Sequence, residues 1–125
     1  MDKRIIKVLY VEDMEDDFKL FEAYLQLSKR IDFQIDWAKS YEEGIEKFTQ
    51  NYYDACVLDY YIDGGHTGID LLSELVKKHN GIAKPFIVFT YERNKDRDLC
   101  ALEAGAMDYI TKDFLVQDNG REVLE

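Results

Sequence analysis

Ile5-Ile6-Lys7-Val8-Leu9-Tyr10-Val11 is a nearly continuous apolar run that stops abruptly at Glu12-Asp13. A strand with one wet face alternates apolar and polar residues, whereas a run this unbroken fits a parallel strand covered on both sides. The same pattern returns at residues 33–37, at 54–59, at Phe86-Ile87-Val88-Phe89-Thr90 behind Pro85, and at 107–110, which gives five short strands.

Helical spacing fills the intervals. Met14, Phe18, Phe21 and Leu25 form one stripe, and Ser40 followed by Glu43 has capping-box spacing ahead of Ile45 and Phe48. Gly64-Gly65 interrupts the pattern before Ile69, Leu72, Leu75 and Val76 resume it. A helix is expected over 99–104, ended by Gly105, and a short fifth one after Lys112, in a segment containing Gly120. Strands alternating with helices through short loops require a parallel sheet covered on both faces, because every crossover must return over the sheet. The expected fold is therefore a doubly wound α/β sandwich of five strands.

A chain of 125 residues, 46% of them hydrophobic, can bury one core but not two, so a single domain over 1–125 is expected. Sixteen basic against 26 acidic residues give a net charge of −10, which repels nucleic-acid phosphates and anionic membranes. Cys56 lies in an apolar run and Cys100 in a helical one; two free thiols in or near the core are expected, in a reducing compartment. No apolar stretch approaches the roughly 20 residues of a membrane span, and the N-terminus lacks a signal-peptide core, so the domain reads as cytoplasmic.

In an open parallel sheet, ligands bind beyond the carboxyl ends of the strands. Glu12 and Asp13 follow the first strand, Asp59 ends the third, Thr90 ends the fourth, and Lys112 follows the fifth. Converging carboxylates repel one another unless a cation sits among them. Carboxylate oxygens with waters suit Mg²⁺, and Mn²⁺ also fits. With the ion bound, one carboxylate can act as nucleophile toward phosphorus, with Thr90 and Lys112 supplying the contacts that are not metal. Singly, each of these residues would be an ordinary loop acid or surface lysine; the signal is the set in register.

Val11-Glu12-Asp13, Val57-Leu58-Asp59, Phe89-Thr90 and the segment from Gly105 to Lys112 together resemble the receiver domain of two-component response regulators, over nearly the whole chain. The resemblance implies the flavodoxin-like strand order 2-1-3-4-5, known for chemotaxis receivers. It implies Asp59 as phosphoacceptor, Asp13 as a direct metal ligand, Glu12 as a ligand through water and the backbone carbonyl of Tyr61 as a further ligand. Thr90 and Lys112 would hold phosphoryl oxygens, and Tyr109 would be the switch aromatic. The implied donor is a histidine kinase or histidine phosphotransfer protein, and output would run through the face of helix four, strand five and helix five. Such a domain modifies itself and is not a metabolic enzyme. The short tail is what a chain trimmed from a longer protein would leave, with an output domain beyond it.

Some positions depart from the family pattern. Asp63 and Thr67 stand where proline and glycine are usual, with Gly68 one step late, so the loop after the third strand is expected to be one residue longer. Tyr91 is large where the residue after the threonine is usually small, and Tyr61, two beyond Asp59, is large as well; the two rings are expected to keep hydrolytic water from the site. Asp113 replaces the usual cis proline, where a cis bond would cost about 2.5–4 kcal/mol.

Three other readings weigh less. A flavin module needs a phosphate-cradling loop where this chain has an acidic run from Glu12 to Asp17. An aspartyl phosphohydrolase typically carries a second acid at the position of Tyr61. A pseudo-receiver, a protein-binding module independent of phosphorylation, would usually lack part of the acid set present here.

Overall fold

The structure is a computed structural model and describes residues 4–62, 65–79, 84–90 and 95–112, the side chains of Lys95, Arg97, Asp98 and Tyr109 excepted. The expected fifth helix, Asp63, Tyr91 and the bond from Lys112 to Asp113 lie outside the described residues. The elements in order are β1 (Arg4–Val11), α1 (Glu15–Leu25), β2 (Ile31–Ala38), α2 (Tyr41–Gln50), β3 (Ala55–Asp59), α3 (Gly68–Lys78), β4 (Phe86–Thr90), α4 (Lys95–Ala104) and β5 (Asp108–Thr111). All pairings are parallel and the order is β2-β1-β3-β4-β5. This is the doubly wound sheet expected from the alternation, in the order implied by the resemblance.

The pleat sorts side chains to opposite faces with a period of two. Leu9 and Val11 of β1 join Cys56, Leu58, Phe86 and Val88 under α2, α3 and α4, in a core that includes Leu71, Leu72, Leu75 and Ala101. Val8 and Tyr10 join Val57 and Phe89 on the other face, where α1 supplies Phe18 and Phe21. That second core is largely aromatic: the Tyr10 and Phe21 ring centroids lie 4.6 Å apart, and Phe18 stacks on Trp37 at 4.6 Å.

Local chemistry sets the boundaries. Ser40 Oγ accepts the Glu43 backbone N–H at 3.1 Å, half of the expected capping box. The full reciprocal box is at α3, between Thr67 and Asp70, and the sequence reading passed over it. Gly105, at φ +115, ends α4; its N–H bonds Leu102 O and the Ala106 N–H bonds Ala101 O, a Schellman closure.

Several expectations need correction. Met14 is not part of the α1 stripe: it caps the helix, its N–H bonds Glu12 Oε1 at 3.1 Å, and its side chain is 56% exposed. α4 starts at Lys95, four residues before the expected helix, and β5 starts at Asp108, since Met107 is still turning, with its N–H on Phe86 O. Cys56 is buried but Cys100 is exposed, because α4 turns the adjacent Ala101 inward.

Candidate functional site

The strand parity that builds the α1-side core also builds the site. Val8 and Tyr10 point toward α1, and Glu12 continues that series; Val57 leads to Asp59, and Ile110 leads to Lys112. Three candidate side chains are thereby aimed at one volume from the ends of β1, β3 and β5. Glu12, Asp59, Thr90 and Lys112 are all buried.

Lys112 Nζ lies at the centre, 2.6 Å from Glu12 Oε2, 2.9 Å from Asp59 Oδ1 and 3.0 Å from Asp17 Oδ2. Glu12 is held further by the Tyr10 hydroxyl at 3.0 Å and by the Met14 N–H, and its backbone carbonyl accepts the Trp37 indole N–H at 2.6 Å. Carboxylate oxygens of Glu12, Asp13 and Asp59 lie within 4.8 Å of one another, and Asp13 is exposed. A cavity of about 420 Å³ opens over them, lined by Asp13, Met14, Asp17, Asp59, Tyr61, Ile62, Thr90 and Lys112.

The loop after β3 is shaped by one close approach. The Gly68 N–H bonds Tyr60 O at 2.7 Å, and a Cβ on Gly68 would overlap the backbone carbonyl of Asp59. Tyr61 pairs with Thr67 in an antiparallel bridge. Gly68 therefore supplies the close approach in this loop, with Thr67 spent on capping α3.

Electrostatically the site is short of positive charge. Burial pushes the Asp59 carboxyl up to about 7, the Glu12 charge adds to this, and Lys112 only partly opposes it. Glu12 is raised as well, because burial outweighs its bond to Lys112. Burial alone would lower the Lys112 ammonium, yet Asp59 and Glu12 together outweigh it and hold it above its ordinary value. A hard divalent cation fits this donor set: oxygen ligands only, two of them buried, with an open cavity for water.

The structure thus brings together Glu12, Asp13, Asp59, Thr90 and Lys112, and puts Tyr61 on the cavity wall. Tyr109 lies on β5 opposite Val88, and its side chain lies outside the described set. The sequence reading missed Asp17 and Tyr10. Asp17 reads as one more acid of the first turn of α1, whereas Tyr10 shares parity with Glu12, a signal present in the pattern.

A doubly wound α/β domain with an acidic pocket beyond the carboxyl ends of its strands is the class that this geometry defines. The family described as response regulator receiver domain matches residues 8–123, and the chain belongs to it. The chain is 32% identical over 119 residues to the transcriptional regulatory protein CiaR of Streptococcus pneumoniae, covering 91% of this chain and 48% of that protein. It spans about half the length of the curated relatives it matches. Among solved structures it resembles the receiver domain of the Francisella response regulator 1452, with 25% identity, TM-score 0.70 and coverage of 94% and 93% of the two chains. The Mn²⁺-bound form of response regulator Rcp1 shares the fold at TM-score 0.78, with 21% identity and coverage of 95% and 89%. The chain is a receiver domain of a two-component response regulator, and the reading as a pseudo-receiver gains no support from these comparisons.

Proposed function

We propose that the domain is a phosphorylation switch in which Asp59 accepts a phosphoryl group in a Mg²⁺-dependent reaction. The observation that carries this is the placement of Asp59: buried at the exit of β3, 2.9 Å from the Lys112 ammonium, beside Glu12 and Asp13, at the floor of an open cavity shared with Thr90.

The donor is a phosphohistidine of a kinase or phosphotransfer protein. An Asp59 oxygen attacks phosphorus, the O–P bond forms as the N–P bond breaks, and the departing imidazole nitrogen takes up a proton. Asp13 and Asp59, with the Tyr61 carbonyl and Glu12 through water, would hold the divalent ion, which supplies charge neutralisation for the ionised nucleophile and the transferring oxygens. Thr90 and Lys112 hold phosphoryl oxygens. Tyr61, on the cavity wall and 52% exposed, limits the approach of water to the acyl phosphate.

Output runs through the α4 and β5 side, with Tyr109 as the switch aromatic. Leu99, Leu102 and Met107 are 57%, 50% and 68% exposed there, an apolar surface suited to a protein partner. The net charge of −10 favours a protein partner over direct contact with nucleic acid. No helix among the described residues is long and apolar enough to cross a membrane; we place the domain in the cytoplasm, as one folding unit over 1–125.

Intact mass of the chain and of Asp59→Asn, after incubation with Mg²⁺ and acetyl phosphate or a phosphorylated kinase, tests the reading. One phosphoryl adduct on the unmodified chain alone is expected. An adduct on both, or on neither, rejects Asp59 as acceptor.

A further inference from the structure

Asp17 stands in the site without belonging to the set at the strand ends. It sits in the first turn of α1, its side chain is 10% exposed, and it meets Lys112 Nζ at 3.0 Å. It lies outside the trio of carboxylates that converge closely enough for one ion, yet it lines the cavity shared by Asp59, Thr90 and Lys112.

An ammonium has three protons to donate, and three carboxylates surround this one. To serve a phosphoryl oxygen, Lys112 has to loosen one of them. Glu12 is fixed from other directions by Tyr10 and Met14, and Asp59 is the residue that carries the phosphoryl group. Asp17 is the contact that draws Lys112 toward α1. A phosphoryl group in this cavity also faces the Asp17 charge across a partly desolvated space, where like charges repel more strongly than in water.

We propose that Asp17 is a positioning residue that holds Lys112 toward α1 and weakens the phosphorylated state, tuning the switch toward its unphosphorylated form. The inference rests on Asp59 being the phosphoacceptor.

The test uses beryllium fluoride, which stands in for a phosphoryl group on a carboxylate, titrated at saturating Mg²⁺ into the full chain and followed by fluorine NMR. Asp17→Asn, which keeps an oxygen facing Lys112 but loses the charge, is expected to bind about ten-fold tighter, as the loss of one like charge in the pocket wall implies. Asp17→Ala is expected to shift the same way, and Asp17→Glu to restore the original affinity. A purely structural role would leave affinity unchanged or lower it in every variant, and that result overturns the inference. Binding by the original chain with no gain in the neutral variants rejects the Asp17 role alone. If the original chain binds Mg²⁺ but no beryllium fluoride, the Asp59 reading fails and the inference falls with it.

Discussion

Strand β3 is entered and left through polar residues, and its two ends treat them in opposite ways. At the entry, the Tyr53 hydroxyl donates to Asp36 Oδ2 at 2.6 Å, and Asp54 Oδ2 accepts the Lys7 backbone N–H at 2.8 Å. Each acid there has a donor that suits it, and burial with the Asp36 bond holds the Tyr53 phenol above its ordinary range, so it stays a donor. At the exit, Asp59, Glu12 and Asp17 share the ammonium of Lys112, and Asp13 adds a fourth carboxylate beside them. The entry pairs each acid with its own donor, whereas at the exit three carboxylates are gathered on one ammonium. One end of the strand spreads its acids over separate donors, and the other concentrates like charge in one buried place, the arrangement in which consistency of local rules gives way.

The comparison breaks most visibly at Lys112. Lys112→Met leaves buried carboxylates without their common partner, and the metal-free variant is expected to lose about 3–5 kcal/mol in urea unfolding. A loss below about 1 kcal/mol would mean that the exit is solvated well enough to do without the lysine. Gly68→Ala comes next, since the added methyl meets the Asp59 carbonyl. It is expected to cost about 1–3 kcal/mol and to lower phosphoryl uptake on intact mass, because the Asp59 backbone has to move. Uptake equal to that of the original chain would show the loop absorbing the methyl elsewhere.

Tyr53→Phe tests the entry. Removing one hydrogen bond is expected to cost about 1 kcal/mol and to leave Mg²⁺ affinity untouched. A change in metal affinity would show that the two ends of β3 are coupled. The smallest effect concerns the thiols: burial pushes Cys56 up to about 12 from 9.0, while Cys100 is exposed. Near pH 9 one cysteine should therefore react with iodoacetamide in the native protein and two after unfolding. The folded state keeps the Cys56 proton through a window where the unfolded chain loses it, so this group makes stability fall as pH rises from 9 toward 12. Two fast thiols in the native state would contradict the burial of β3.

Most of the fold was legible because parallel strands announce themselves as unbroken apolar runs, and the candidate site was legible because its residues stand directly after them. Glu12, Asp13, Asp59, Thr90 and Lys112 could be collected without coordinates on that ground alone. The strand order could not, since alternation fixes handedness and burial but not which strands are neighbours; resemblance carried it. Asp17 was hidden because its partner is 95 residues away and its position reads as the acidic first turn that any helix favours. Met14 misled for a related reason: helical spacing alone does not tell a first buried residue from a cap.

Trp37 is the only tryptophan in the chain, and its indole N–H is tied to the carbonyl of Glu12 at 2.6 Å, with its ring stacked on Phe18 and the Lys39 ammonium 4.6 Å from the ring centroid. An indole so placed is an optical gauge wired to the first carboxylate of the site. A cation entering the pocket is expected to shift the field that the ring senses, so Mg²⁺ titration should change its emission without label or engineered probe. The residue that latches the edge strand β2 to the end of β1 is thus also the natural place to look for the state of the domain in a cuvette.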